Sequence, residues 1–230
     1  MYSRSYEDDR SIPSFMSGVY GWMSCALAIT AGTAYYVAST PAVFTYIYTH
    51  SGMLLGLLFA QFALVIGIAF FINRISFATA LVLFLVYAAT LGITLSSIFY
   101  VYTEISIITT FVTTAGMFGV MSLYGYVTKA DLTSVGNMAF MALIGLVIGM
   151  LVNMFLKSEQ FDYILSGIGV VIFVLLTASD TQKIKQLGRS MLVNQEMVGK
   201  VTLIGALTLY LDFINLFLFL LRFMGNRRDQ

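Results

Sequence analysis

The sequence predicts an all-α membrane protein that crosses the bilayer seven times, and its composition and hydropathy pattern support this. Of its 230 residues, 59% are hydrophobic and 10% are charged, whereas a soluble domain carries about 25% charged residues. The apolar residues form seven runs of about 20, the length that a helix needs to cross a hydrocarbon core of about 30 Å. Shorter alternating segments, which would indicate a β-barrel, are absent from the sequence.

The predicted spans are residues 18–38, 52–72, 77–99, 105–127, 135–156, 163–178 and 201–221. Polar or turn-forming residues separate them in chain order: Pro41, Arg74, Glu104, Lys129, Lys157 and the polar section 179–200. The sixth helix is expected to continue to about Leu187, and both prolines, Pro13 and Pro41, are expected outside the spans. The chain therefore divides into a polar N-terminal segment (1–17), a seven-helix transmembrane domain (18–222) and a short C-terminal tail (223–230).

Lysine and arginine placement predicts a cytoplasmic N-terminus. In that orientation the cytoplasmic side holds Arg4, Arg10, Arg74, Lys129, Lys183, Lys185, Arg189 and Lys200, and the opposite side holds Lys157, Arg222, Arg227 and Arg228. Basic residues concentrate on the cytoplasmic side of membrane proteins, so this distribution favours the N-terminus inside and, with seven spans, the C-terminus outside. The three arginines at the C-terminal end oppose that preference.

The charge balance and the cysteine count exclude several classes of protein. The net charge is +1, which provides no strong field for nucleic acid or acidic partners. Cys25 is the only cysteine, so the chain cannot form an internal disulfide. The sequence shows no metal-ligand cluster, phosphate-binding loop or nucleophile–base arrangement. The lipid bilayer is the partner that composition predicts, and no cofactor is expected.

Three charged residues lie at or near membrane depth, where charge is costly and commonly functional. Asp212 is in the middle of the seventh span, Asp180 follows the sixth, and Arg74 ends the second. Asp212 needs a proton or a partner, and its helix neighbours Thr208 and Asn215 are on the same face.

Each of these residues also has a structural alternative that the sequence leaves open. Asp180 is a candidate for a solvated helix-end residue paired with Lys183. Arg74 is a candidate for a positive-inside anchor. Asp212, Thr208 and Asn215 would then form a purely structural polar cluster.

Two segments, 177–185 and 209–217, resemble the bacterial branch of the transmembrane Bax inhibitor motif family. Residues 19–23, 91–95, 121–126 and 220–223 resemble the family too, so the resemblance covers nearly the whole chain. It implies a central C-terminal helix wrapped by two three-helix sets. It also implies that Asp180 and Asp212 form a pH-sensing carboxylate pair and that Arg74 is its latch. Residues 187–199 form a longer connection than in the family's leak proteins.

The resemblance further implies a pH-sensitive calcium-leak channel in the bacterial cytoplasmic (inner) membrane, with Ca²⁺ as the transported ion and protons as regulators. Ca²⁺ prefers oxygen ligands, so Asp180 and Asp212 are candidates for weak Ca²⁺ contacts along the ion pathway. The alternative is a non-transporting regulator of a membrane protease or a stress response that acts through helix contacts, since one branch of the family is associated with modulating a membrane protease.

Two other classes of membrane protein fit the sequence poorly: intramembrane aspartyl proteases, which use two aspartates, and seven-helix retinal proteins. The chain is not expected to be an enzyme. Intramembrane aspartyl proteases resemble one another in a Gly-x-Gly-Asp segment, whereas Tyr210 and Leu211 precede Asp212. A retinal protein needs a lysine midway along the last helix, and Lys200 is at the start of that helix.

Overall fold

The structure is a computed structural model that describes residues 2–191 and 195–228, with side chains described for 12–50, 52–190 and 197–228. Met1, Asp229 and Gln230, at the ends of the predicted terminal segments, lie outside the described residues. The described part of the chain forms nine helices and no strand beyond one isolated bridge. The helices are α1 (Tyr2–Ser39), α2 (Pro41–Thr49), α3 (Ser51–Phe71), α4 (Phe77–Leu95), α5 (Ile98–Val101), α6 (Glu104–Val127), α7 (Thr133–Leu156), α8 (Glu159–Met191) and α9 (Gln195–Met224).

Seven segments of the described residues are long and apolar enough to cross a membrane, which confirms the predicted class. These segments are Ile12–Ser39, Gly52–Phe71, Phe77–Val101, Glu104–Val127, Thr133–Leu156, Glu159–Ser190 and Met197–Met224. The seventh is the most buried: 72% of its most apolar stretch is buried, against 11% in the second and fifth. Such burial is what the predicted central position of the C-terminal helix requires.

The first described segment that is long and apolar enough to cross a membrane is Ile12–Ser39, and it includes the predicted span 18–38. Ile12, Phe15, Met16 and Val19 are buried, and their spacing of three, four and seven residues defines one helix face. The predicted polar N-terminal segment is helical from Tyr2 onward. Pro13 lies inside this helix, so the expectation that both prolines lie outside the spans is not confirmed for it, whereas Pro41 begins α2.

The polar section 179–200 is mostly helix and not an open connection. Helix α8 continues to Met191, and α9 begins at Gln195. The expected continuation of the sixth helix to about Leu187 is therefore confirmed, and Thr181, Gln182 and Ile184 are buried in spite of the charges beside them. Of the longer connection predicted at 187–199, residues 187–191 and 195–199 are helical, and residues 192–194 lie outside the described residues.

The chain forms two compact units, the first comprising Met1–Val101 with Leu187–Tyr210 and the second Tyr102–Gln186 with Leu211–Gln230. In the first unit, α1 packs mainly on α4. A Cβ at Gly92 of α4 would collide with Thr33 of α1, so glycine permits this close approach. Thr30 of α1 shares a 2.7 Å hydrogen bond with the Tyr210 hydroxyl.

In the second unit, two glycines bring α8 close to its neighbours. A Cβ at Gly125 of α6 would collide with the backbone of Ala178, and one at Gly136 of α7 would collide with the Ser179 side chain. Small residues allow this kind of approach between helices in lipid. The two contacts involve the two residues directly before Asp180, so they constrain the position of the α8 backbone at that residue.

Candidate functional site

Asp212 is the buried carboxylate of the second unit. It lies in α9 with 5% of its surface exposed, and its Oδ2 atom accepts no hydrogen bond from any described residue. Aromatic side chains occupy the same region: Phe213 makes edge-to-face contacts with Phe111 and Phe118 of α6. A carboxylate without a hydrogen-bonded partner in apolar surroundings is energetically costly, so Asp212 remains the strongest functional candidate.

Asp180 lies in the interior of α8, in the same compact unit as Asp212. The side chain is 18% exposed, and Lys183 Nζ donates a 2.9 Å hydrogen bond to its Oδ1. The predicted Asp180–Lys183 pair is therefore present. The helix-end part of that alternative is wrong, because α8 continues to Met191.

The side chains predicted to support Asp212 make their hydrogen bonds elsewhere. Thr208 Oγ1 donates to the carbonyl of Ile204 at 3.0 Å, and Asn215 Nδ2 donates to the carbonyl of Leu211 at 2.8 Å. Side chains of this kind in helices commonly bond to the carbonyl one turn back. The sequence placed these residues on a suitable face, but the structure shows no polar cluster with Asp212.

The polar side chains after Asp180 hold α8 against α6 and the segment that joins α6 to α7. The Thr181 hydroxyl shares a 3.0 Å hydrogen bond with the Ser122 hydroxyl. Gln182 accepts a 2.8 Å hydrogen bond from the Leu132 N–H and donates one of 2.8 Å to the Ala130 carbonyl. These hydrogen bonds fix the rotation of α8 about its axis. They therefore also fix the side of the helix from which Asp180 projects.

Lys185, one turn further along α8, makes another contact with α6. Its Nζ donates a 2.6 Å hydrogen bond to the Tyr126 carbonyl and lies 4.5 Å from the centre of the Tyr126 ring. Sequence reasoning did not assign roles to Thr181, Gln182 or Lys185, although they all lie in the segment 177–185 that carried the family resemblance. No local pattern identifies their roles, because their hydrogen-bond partners are distant in sequence.

Arg74 lies in the first unit, in the turn between α3 and α4. Its side chain is exposed, and its N–H donates a 2.8 Å hydrogen bond to the Phe71 carbonyl. It makes no ion pair with a described carboxylate of its own unit. Both roles that the sequence left open, latch and anchor, remain predictions.

The ligand chemistry of the site can be compared with what a metal ion requires. Among the described residues, no group of three or more His, Cys, Asp or Glu side chains is placed to hold a metal ion. Ca²⁺ takes six to eight oxygen ligands, so Asp180 and Asp212 alone would supply only part of its coordination.

The fold and site define a multi-pass, all-α integral membrane protein, and comparisons identify its family. The family described as inhibitor of apoptosis-promoting Bax1 matches residues 12–229. The chain belongs to this family, which confirms the resemblance inferred from the two aspartate segments.

Several bacterial relatives match nearly the whole chain. The inner membrane protein YbhL of Escherichia coli K12 is 52% identical over 218 residues, which cover 94% of this chain and 93% of the relative. An uncharacterised protein of Borreliella burgdorferi is 44% identical, with 94% and 93% coverage. The uncharacterised protein RP147 of Rickettsia prowazekii is 41% identical, with 99% and 95% coverage.

Proposed function

We propose that this protein is a pH-sensitive calcium-leak channel in which Asp180 and Asp212 together set the open population. The observation that supports this most directly is the burial of Asp212 in the seventh span, where its Oδ2 atom accepts no hydrogen bond from a described residue. Asp180 lies in the sixth span of the same unit. Charged pairs inside a membrane commonly mark ion or proton pathways.

The proposed mechanism begins with the proton content of the pair. Two carboxylates in a poorly solvated site do not both ionise easily, so they exchange protons as a coupled unit and not singly. With one shared proton, the site carries one net negative charge. A further gain or loss of a proton changes the attraction between α8 and α9 and shifts the population of open molecules.

Calcium is the proposed substrate of the pathway and not a cofactor. Ionised carboxylates attract a hard divalent cation, and the small number of ligands at the pair favours rapid release. Lys183 adds a positive charge beside Asp180, and it competes with the incoming cation. In the family's mechanism an arginine latches the pair in the closed state, and Arg74 is the proposed latch here.

The proposed location is the bacterial cytoplasmic membrane with the N-terminus inside. The Escherichia coli relative is an inner membrane protein, and the lysine and arginine distribution favours this orientation. The pair would then lie toward the cytoplasmic end of α8.

Calcium entry into proteoliposomes tests the proposal directly. The purified protein is reconstituted with an internal calcium dye, and initial rates are measured from about pH 5 to 8, where perturbed carboxylates commonly titrate. The variants are Asp180→Asn, Asp212→Asn and the double variant. Each single change should move the pH dependence of flux. The double change should remove most of that dependence, and because the two groups are coupled the single effects should not add.

Asp131→Asn is the matched control, because Asp131 is an exposed carboxylate of the same unit that accepts a hydrogen bond from the Thr133 N–H. Asparagine retains that acceptor, so the flux profile should not change. Wild-type flux no faster than in protein-free liposomes, or single aspartate variants with wild-type profiles, would contradict the leak function. That result would favour the non-transporting regulator of a membrane protease or stress response.

A further inference from the structure

A polar cleft of about 370 Å³ lies in the second unit, where α7 ends, α8 begins and α9 ends. Neither Asp180 nor Asp212 lines it. Three basic and two acidic side chains do: Lys157, Glu159, Asp162, Arg222 and Arg227. Because three membrane spans end at this place, the cleft lies at the depth of the lipid headgroups.

The charged side chains of the cleft form no ion pairs with one another. None of its five charged side chains forms an ion pair with a described residue, although both signs are present. The neighbouring Arg228, by contrast, pairs with Glu104 at 3.8 Å and does not line the cleft. Unpaired charges of both signs around one cavity are suited to a ligand that itself carries both signs.

Lys157 adopts a backbone conformation that favours glycine. Its φ is 51°, and it is the only described non-glycine residue with a positive φ. It caps α7 by donating its N–H to the Asn153 carbonyl at 2.7 Å. A lysine in the left-handed region costs conformational free energy, and such a cost is commonly retained where the side chain has a function.

The segment after α9 contributes Gly225 and Arg227 to the cleft lining. This segment is held in place by hydrogen bonds to the start of α6. The Thr103 N–H donates to the Asn226 carbonyl at 3.1 Å, and the Asn226 N–H donates to Ser106 Oγ at 2.9 Å. Arg227 pairs in an isolated bridge with Tyr102. The predicted C-terminal tail is therefore attached to the start of α6, and the cleft exists before any ligand arrives.

We propose that this cleft binds the headgroup of a zwitterionic aminophospholipid. Arg222, Arg227 and Lys157 contact the phosphodiester, and Glu159 and Asp162 contact the ammonium. Guanidinium groups bind phosphate oxygens in bidentate geometry, and the two carboxylates disfavour a headgroup that carries only negative charge. Lipid binding would give the C-terminal arginines a role that does not depend on which side of the membrane they face. This proposal is also independent of the calcium-leak function.

Native mass spectrometry of the detergent-solubilised protein tests this proposal. The protein is titrated with dioleoyl phosphatidylethanolamine and, separately, with dioleoyl phosphatidylglycerol. One phosphatidylethanolamine should bind more tightly than phosphatidylglycerol. The Arg222→Gln and Arg227→Gln double variant should weaken this binding by about tenfold or more, because it removes charge-assisted hydrogen bonds. Arg228→Gln, which removes one positive charge outside the cleft, should bind as the wild type does.

Lys157→Gly separates binding from folding. Glycine adopts the left-handed conformation without strain, so the variant should unfold at the same or a higher temperature in detergent while its lipid affinity falls. Equal binding of both lipids, unchanged binding in the arginine double variant, or unchanged binding in Lys157→Gly would overturn the proposal. Displacement of the lipid by inorganic phosphate at matched concentration would assign the cleft to phosphate alone and would also overturn it.

Discussion

Lys183 Nζ lies 2.9 Å from Asp180 Oδ1. A Cβ added to Gly136 of α7 would come within 3.2 Å of that ammonium, so Lys183 lies close to the backbone of α7 as well. Asp180 therefore has a cation from the next turn of its own helix beside it.

Replacing Lys183 should increase calcium flux near neutral pH, if the pair forms the pathway. Lys183→Gln removes the competing cation, whereas Lys183→Arg keeps it. Lys183 is 47% exposed, and exposed ion pairs contribute about 0.2 to 1 kcal/mol. The initial rate in proteoliposomes should therefore rise by about 1.5- to 5-fold in Lys183→Gln and change less in Lys183→Arg. Lys129→Gln, at an exposed position in the same unit, is the control and should leave the calcium flux unchanged. An equal rise in flux in both Gln variants would indicate a general charge effect and would contradict a specific role of Lys183.

Gly125→Ala should destabilise the protein, because a Cβ at that position would meet the backbone of Ala178. Overpacking of this kind commonly costs about 1 to 3 kcal/mol, and it would also strain the nearby Ser122–Thr181 hydrogen bond. Gly119→Ala lies on the same helix with open space around the added atom, so it should be neutral or slightly stabilising. Thermal unfolding in detergent measures both. Equal stability of the two variants would show that α6 and α8 tolerate separation there.

The number of spans and the position of Asp212 could be predicted from sequence because both are local properties. Apolar length defines a span, and a lone carboxylate in an apolar run is visible without knowledge of its neighbours. The buried helix face formed by Ile12 and Phe15 was not predicted, because Pro13 and nearby polar residues concealed it.

The contacts of the site could not be predicted in the same way. The bonds of Gln182 to Leu132 and Ala130 depend on which helices pack together, and no local pattern specifies that. For Thr208 the sequence indicated the helix face that it shares with Asp212, but it did not indicate its hydrogen-bond acceptor. The hydroxyl donates to the carbonyl of Ile204 in its own helix. The sequence predicted the ion pair of Lys183 with Asp180, which is present, but not the closeness of Lys183 to the α7 backbone at Gly136, because that depends on helix packing.

Cysteine labelling of intact cells should establish the orientation. Gln186 is exposed near the C-terminal end of α8 and Glu159 is exposed at its start, so Gln186→Cys and Glu159→Cys form a matched pair. Cys25 is exposed and is first replaced by serine. With the N-terminus inside, a membrane-impermeant maleimide should label Glu159→Cys and not Gln186→Cys. The reverse pattern would contradict the orientation and place Asp180 toward the outer face.

Arg74→Ala should raise calcium flux at neutral pH and flatten its pH dependence, if Arg74 is the latch of the closed state. A guanidinium bridges two carboxylates with bidentate hydrogen bonds, which an ammonium does less well, so Arg74→Lys should restore only part of the wild-type profile. Arg189→Ala, an exposed arginine in the last turn of α8, is the control for loss of positive charge on the same predicted side. If Arg74 is only an anchor, both Arg74 variants will transport calcium as the wild type does, and their protein yield or labelling pattern will change instead.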